Sequence, residues 1–139
     1  MSNPRYFELE LPTVDNSCTG TTAVLTAGEN LAFGDAVYVK AADSKMWLAD
    51  SDVVTTMPCV ALAAAAISAN ALGRFLILGF MRDDAWGWTA QGLLYPHTTG
   101  GNPTQTRPSG SGDQVQVLGI AITATIILFN PSYELVEIA

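Results

Sequence analysis

The chain reads as an all-β protein, a small antiparallel β-sandwich or β-barrel of jelly-roll or tulip-like form. Three observations lead there. Residues 112–122 (Gly-Asp-Gln-Val-Gln-Val-Leu-Gly-Ile-Ala-Ile) run almost directly into residues 126–132 (Ile-Ile-Leu-Phe-Asn-Pro-Ser). Such β-formers, punctuated by Gly, Asn and Pro, make paired strands that end at a sharp turn. Residues 73–82 are nearly all apolar, as a strand covered on both faces is. In so small a domain that implies two packed layers, or coverage by a neighbouring subunit. Finally, residues 36–40 and 46–49 flank Ala42-Asp43-Ser44-Lys45, a segment polar enough to be a hairpin turn.

The remaining elements follow in chain order. Tyr6, Phe7, Glu8, Leu9, Glu10 and Leu11 alternate with the period of a half-buried strand, which Pro12 ends or bends. Residues 21–26 read as a second strand and residues 27–30 as its turn. Residues 50–58 are a connection, with Pro58 disfavouring helix at Met57. The Ala-rich stretch after it suits either a short helix or a buried strand; its length and flanks favour a strand over residues 59–64, with a turn near residues 68–70. In the apolar strand 73–82, a charge placed at Phe80 is expected to unfold the domain. Residues 92–95 form a short strand. Residues 97–112, polar and rich in Gly and Pro, form a long surface loop that reaches out or lies along a partner. The 139 residues thus make a single β-domain, 1–139, with a short N-terminal arm of residues 1–5 and a long polar loop of residues 97–112.

Composition narrows the function. Six Lys and Arg stand against thirteen Asp and Glu, a net charge of −7 with no basic run, so the surface repels a phosphate backbone on average and no nucleic-acid partner is expected. The charged fraction of 14% is low, so much of the surface must be neutral or covered by other subunits. The N-terminal residues lack an apolar signal core, and the stretch from Val60 to Leu72 is too short for a bilayer span of ~20 apolar residues, so no secretion signal and no membrane partner are expected. Cys18 and Cys59 lack Cys-x-x-Cys spacing and read as reduced, packed side chains, with a disulfide between them as the alternative.

Chemistry-bearing clusters are sparse. Asp83 and Asp84 are adjacent carboxylates, but neighbours on a strand point to opposite faces, and the single His97 supports none of the usual zinc patterns. Ser109-Gly110-Ser111-Gly112-Asp113 has neither the Lys of a phosphate loop nor a second His to activate a serine. No catalytic residue, cofactor or metal is expected. Trp86 and Trp88, two apart around Gly87, fall on one side if extended; they suit packing at a loop or subunit contact better than stacking on a sugar or base.

The order of the Gly-Asp, Trp-Gly-Trp-Thr (residues 86–89), Gly-Ser-Gly-Asp (residues 110–113) and Phe-Asn-Pro (residues 129–131) elements resembles the small β-domain of tailed-bacteriophage virion proteins. The likeness is densest over residues 73–137, with a weaker counterpart over residues 27–50, and is greatest to capsid decoration (cement) proteins. The resemblance implies a structural virion protein, not an enzyme, made in the host cytoplasm and bound to the outer surface of the capsid. Its partners would be the major capsid protein and further copies of itself, in a homotrimer or alternatively a dimer. The alternative function is a head-fibre or tail appendage module that binds a host glycan or receptor; the few residues before the first expected strand favour decoration. The expected interface comprises Ser2, Asn3, Pro4 and Arg5 of the arm, Trp86 and Trp88, and His97, Asn102 and Arg107 of the long loop.

Overall fold

A computed structural model describes residues 8–139. Ten strands occur among these residues: β1 (Ser17–Thr26), β2 (Ala36–Val39), β3 (Met46–Leu48), β4 (Ala61–Ala63), β5 (Leu72–Arg82), β6 (Leu93–Leu94), β7 (Gln114–Val115), β8 (Gly119–Ala121), β9 (Ile126–Phe129) and β10 (Val136–Glu137). The sole helical element is a single 3-10 turn, Val54–Thr56. The chain is therefore nearly all β, as its residue pattern predicts.

Eight strands form one antiparallel sheet in the order β3-β2-β4-β5-β9-β8-β6, with β1 joined to β5; β10 and β7 form a separate pair. The long strand β5 organises this sheet. One of its edges pairs with β1 from Ser17↔Arg82 to Thr26↔Leu72. Its other edge is divided: β4 takes Phe75 and Leu76, and β9 takes residues 79–82. Two three-stranded wings thus leave the same edge of one strand, and the sheet curls into a half-barrel between them.

The curl coincides with a register line that carries three glycines and Phe129. Gly20 pairs with Gly79, Gly79 with Phe129, and Phe129 with Gly119, so one register line crosses four strands. Gly79 (φ +149°) and Gly119 (φ +151°) hold conformations that side chains rarely adopt, and a Cβ on either would overlap a backbone carbonyl oxygen, that of Thr19 or Leu128. Glycine is required there because backbone fills the space a side chain would need.

Both faces of the β2–β4–β5 region are buried. Ala36, Tyr38, Leu62 and Leu76 point into a cluster with Met81, Ile127 and Phe129 inside the curl. Their sequence neighbours Val37, Ala61, Ala63 and Phe75 point the other way, into a second cluster closed by Ala27, Leu31, Met46 and Ile67. The two-residue strand period makes this division, and it explains why β5 and the Ala-rich stretch lack polar alternation. In the β1–β5 ladder the register shifts at Thr21/Thr22, leaving Ile77 unpaired, which lets Leu76 and Met81 share one face despite their odd separation. Full burial of Phe75, Leu76, Met81 and Phe129 contributes about 1.5–3 kcal/mol per side chain.

Several expectations are corrected. Residues 8–11 form no strand, and Leu9 and Leu11 are 53% and 42% exposed. The Glu10 and Pro12 carbonyls accept from the Thr19 hydroxyl and the Arg82 guanidinium, so the segment is tied by side chains and joins no ladder. Tyr6 and Phe7 lie outside the described residues. β1 begins earlier than residue 21, because Gly20, a breaker in isolation, has Gly79 opposite it. The stretch 112–122 is broken into β7 and β8, and Gln114 and Gln116 are both buried. Phe80 is only half-buried, so the core of β5 rests on Phe75, Leu76 and Met81. The loop 97–112 folds back onto the body: Tyr95 and Thr104 exchange backbone hydrogen bonds of 2.8 Å, and Pro103 and Pro108 are buried.

Candidate interface

Beyond β5 the chain turns at Asp83, whose carboxylate accepts from the Ala85 amide (2.9 Å), and presents Trp86 and Trp88. Their ring centroids lie 5.3 Å apart at 52°, and both half-buried indoles pack against the cluster inside the curl. The Trp86 indole N–H donates to Asn102 Oδ1 (2.9 Å). Asn102 Nδ2 in turn donates to Asp35 Oδ1 (3.0 Å) and to the Phe33 carbonyl (3.2 Å), while Asp35 Oδ2 accepts from the Ala32 amide (2.8 Å). A second tie lies close by, where Gln105 accepts from the Thr89 amide (3.0 Å) and donates to the Thr89 carbonyl (2.8 Å). Trp86 and Asn102, two of the expected interface residues, therefore meet each other and bind the Trp turn, the long loop and the 32–35 turn into one unit. Satisfied in this way, they fix the shape of the surface instead of offering free hydrogen-bonding groups. The Trp88 indole nitrogen is buried without a hydrogen-bond partner among the described residues.

His97 and Arg107 meet at a separate place. With Thr104, Thr106, Ser109 and Asp113 they line a polar cleft of about 280 Å3 on the long loop. Arg107 is exposed, whereas His97 is half-buried with Nδ1 2.9 Å from the Thr99 hydroxyl. Asp113 accepts from the Gly110 amide (2.8 Å), which makes the Gly-Ser-Gly-Asp segment a turn leading into β7. Asp84 pairs with Arg82 at 2.7 Å, at the end of β5. Among the described residues, no three His, Cys, Asp or Glu side chains come together as metal ligands, and no helix is long and apolar enough to cross a membrane. Both cysteines are free, and burial pushes the Cys59 thiol up to about 12.

The exterior carries apolar side chains that the sequence reading did not single out. Val24 is 63% exposed and Leu72 70% exposed. Val24 faces Arg74 across the β1–β5 ladder and Leu72 lies two residues along β5, so these two share one face. Tyr133 and Val136 are exposed near the C-terminus. Among the described residues β1 pairs only with β5, which leaves its other edge open. The signal for that edge was present in Ser17–Thr26, ten residues without a charge or proline. Ser2, Asn3, Pro4 and Arg5 lie outside the described residues. Compared with protein-family models, curated proteins and solved structures, the chain matches none.

Proposed function

We propose that this chain is a structural protein of a tailed-bacteriophage virion, a capsid decoration protein that binds the outside of the head, self-associates and stabilises the shell. The observation that carries the reading is the combination of an uncharged open strand edge with exposed Val24 and Leu72 on a chain of net charge −7. Exposed apolar area and an unpaired edge favour contact with protein, and the negative charge disfavours contact with nucleic acid. The order of strands and turns adds the resemblance to virion β-domains. The mechanism is burial of area: apolar surface removed from water at roughly 25 cal/mol per Å2 strengthens the lattice contacts that the protein bridges. A homotrimer is the proposed assembly and a dimer its main variant, with no catalytic step.

A receptor- or glycan-binding appendage is the second reading. The Trp86 and Trp88 faces are half-buried in the body, so its support rests on the polar cleft around His97 and Arg107. Imaging virions with and without this protein tests both readings. Decoration predicts density on the outer shell that vanishes on deletion, with particles that lose DNA at a lower temperature. Density confined to a fibre or tail, or no loss of particle stability, overturns it.

A further inference from the structure

Three features described above are complementary. The first is the open edge of β1. No described backbone hydrogen bond reaches residues 17–26 from any element except β5. Natural proteins blunt such edges with charge, proline or a cover, and Ser17–Thr26 contains neither charge nor proline. The second is the segment 8–11, which alternates like a strand, has no strand partner, and leaves Leu9 and Leu11 exposed. The third is Arg74. It is exposed, and its Nη2 lies 3.8 Å from Cys18 Sγ, so the guanidinium extends over β1. Among the described residues the sole carboxylate–cation pair is Arg82–Asp84, which leaves Arg74 without a counter-ion.

We propose that residues 8–11 of a second copy add to the free edge of β1 as an exchanged strand. The two faces of the added strand match the two faces of the ribbon. On one, Leu9 and Leu11 continue the row of Ala23 and Leu25, where Leu25 already packs against the second core cluster. On the other, Glu8 and Glu10 come to the Val24 side, the face that carries Arg74. In its own chain the segment is tied only by side chains, through the Glu10 and Pro12 carbonyls bonded to Thr19 and Arg82, so no described backbone–backbone hydrogen bond holds residues 8–11 and they can pair with a neighbour's strand. Because donor and acceptor surfaces differ, two copies can exchange segments reciprocally about a two-fold axis and three can pass them head-to-tail around a closed ring, the dimer and the trimer of the function proposed above. The inference rests on the self-association part of the function proposed above.

Light scattering on the full-length chain tests it. The wild type should be an oligomer at micromolar concentration, and a Leu9→Asp/Leu11→Asp variant, altered only at exposed positions, should be a monomer with unchanged far-UV circular dichroism. Arg74→Glu should weaken association about tenfold at low salt and less at high salt; Glu8→Arg/Glu10→Arg in that background should restore it. In a Cys18→Ser background, a Leu9→Cys chain refolded together with a differently tagged Ala23→Cys chain should be joined between the two chains by a short bis-maleimide. An oligomer unaffected by the Leu9 and Leu11 changes, or crosslinking only within a doubly substituted chain, overturns the exchanged strand and leaves self-association standing. A wild type that is monomeric at micromolar concentration overturns both.

Discussion

Gln116 is the buried polar residue whose loss should be felt most. It is 1% exposed, and its side-chain amide spans two segments: Oε1 accepts from the Cys59 amide (2.8 Å), while Nε2 donates to the Cys59 carbonyl (2.8 Å) and the Ser132 carbonyl (2.6 Å). It thereby ties the entry to β4 and the exit from β9 to the break between β7 and β8. Gln116→Ala removes three hydrogen bonds and leaves the buried Cys59 amide without its partner. At about 0.5–1.5 kcal/mol for each bond, plus about 1–3 kcal/mol for a stranded group, the loss is about 2.5–7.5 kcal/mol. In a domain of this size that lowers Tm by on the order of 10 °C. Urea unfolding at fixed protein concentration, followed by circular dichroism, measures it. Gln116→Glu adds a pH signature: the ionised carboxylate still accepts from Cys59 but faces two carbonyls, so its folded-state pKa is raised. The destabilisation is then smallest in acid, where the carboxyl is protonated in both states, and grows as pH rises through and above the ordinary glutamate range. A loss below about 1 kcal/mol for Gln116→Ala, or a pH-independent Gln116→Glu, would refute the staple.

Three further outcomes are expected. Gly79→Ala should cost more than about 3 kcal/mol or yield insoluble protein, because its Cβ would meet the Thr19 carbonyl, whereas Gly101→Ala, with open space at its Cβ, should cost only about 1 kcal/mol; unfolding curves compare them. The Cys59 thiol, fully buried and pushed up to about 12, should not react with a thiol reagent at pH 8, so at most one thiol per chain titrates until denaturant is added. Asn102→Ala should cost about 1–3 kcal/mol and red-shift the tryptophan emission, since it frees the Trp86 indole and uncouples the long loop from the 32–35 turn.

The parts legible in the sequence are those decided locally. The hairpin of β2 and β3 follows from two β-rich runs around a polar turn, and the apolar run of β5 announces burial on both faces. What escaped depends on distant partners. Gly20 reads as a breaker until Gly79 stands opposite it, and Gln114 and Gln116 read as strand polar positions until residues 59, 132 and 137 supply their hydrogen bonds. In the candidate interface, Trp86 and Asn102 were legible as individuals, but their mutual bond, which changes them from offered groups into internal ties, joins separate loops and leaves no periodic trace. The alternation of residues 6–11 predicts a strand, but a strand needs a partner, and residues 8–11 join no ladder within their own chain.

The divided edge of β5 also bears on how the molecule assembles in time. Neither wing is a self-sufficient sheet: β3-β2-β4 and β9-β8-β6 each consist of three short strands, and each ends on β5. The β5 strand itself must first find β1, whose nearest paired residues, Thr26 and Leu72, are separated by the whole β2–β4 segment. Closing that loop costs chain entropy before the ladder returns any stabilisation. Folding should therefore be slow, with no half-formed wing accumulating. On this topology the β1–β5 ribbon is expected to be the nucleus onto which the early and late parts of the chain condense from opposite directions, and φ-values near 1 confined to either wing would refute that.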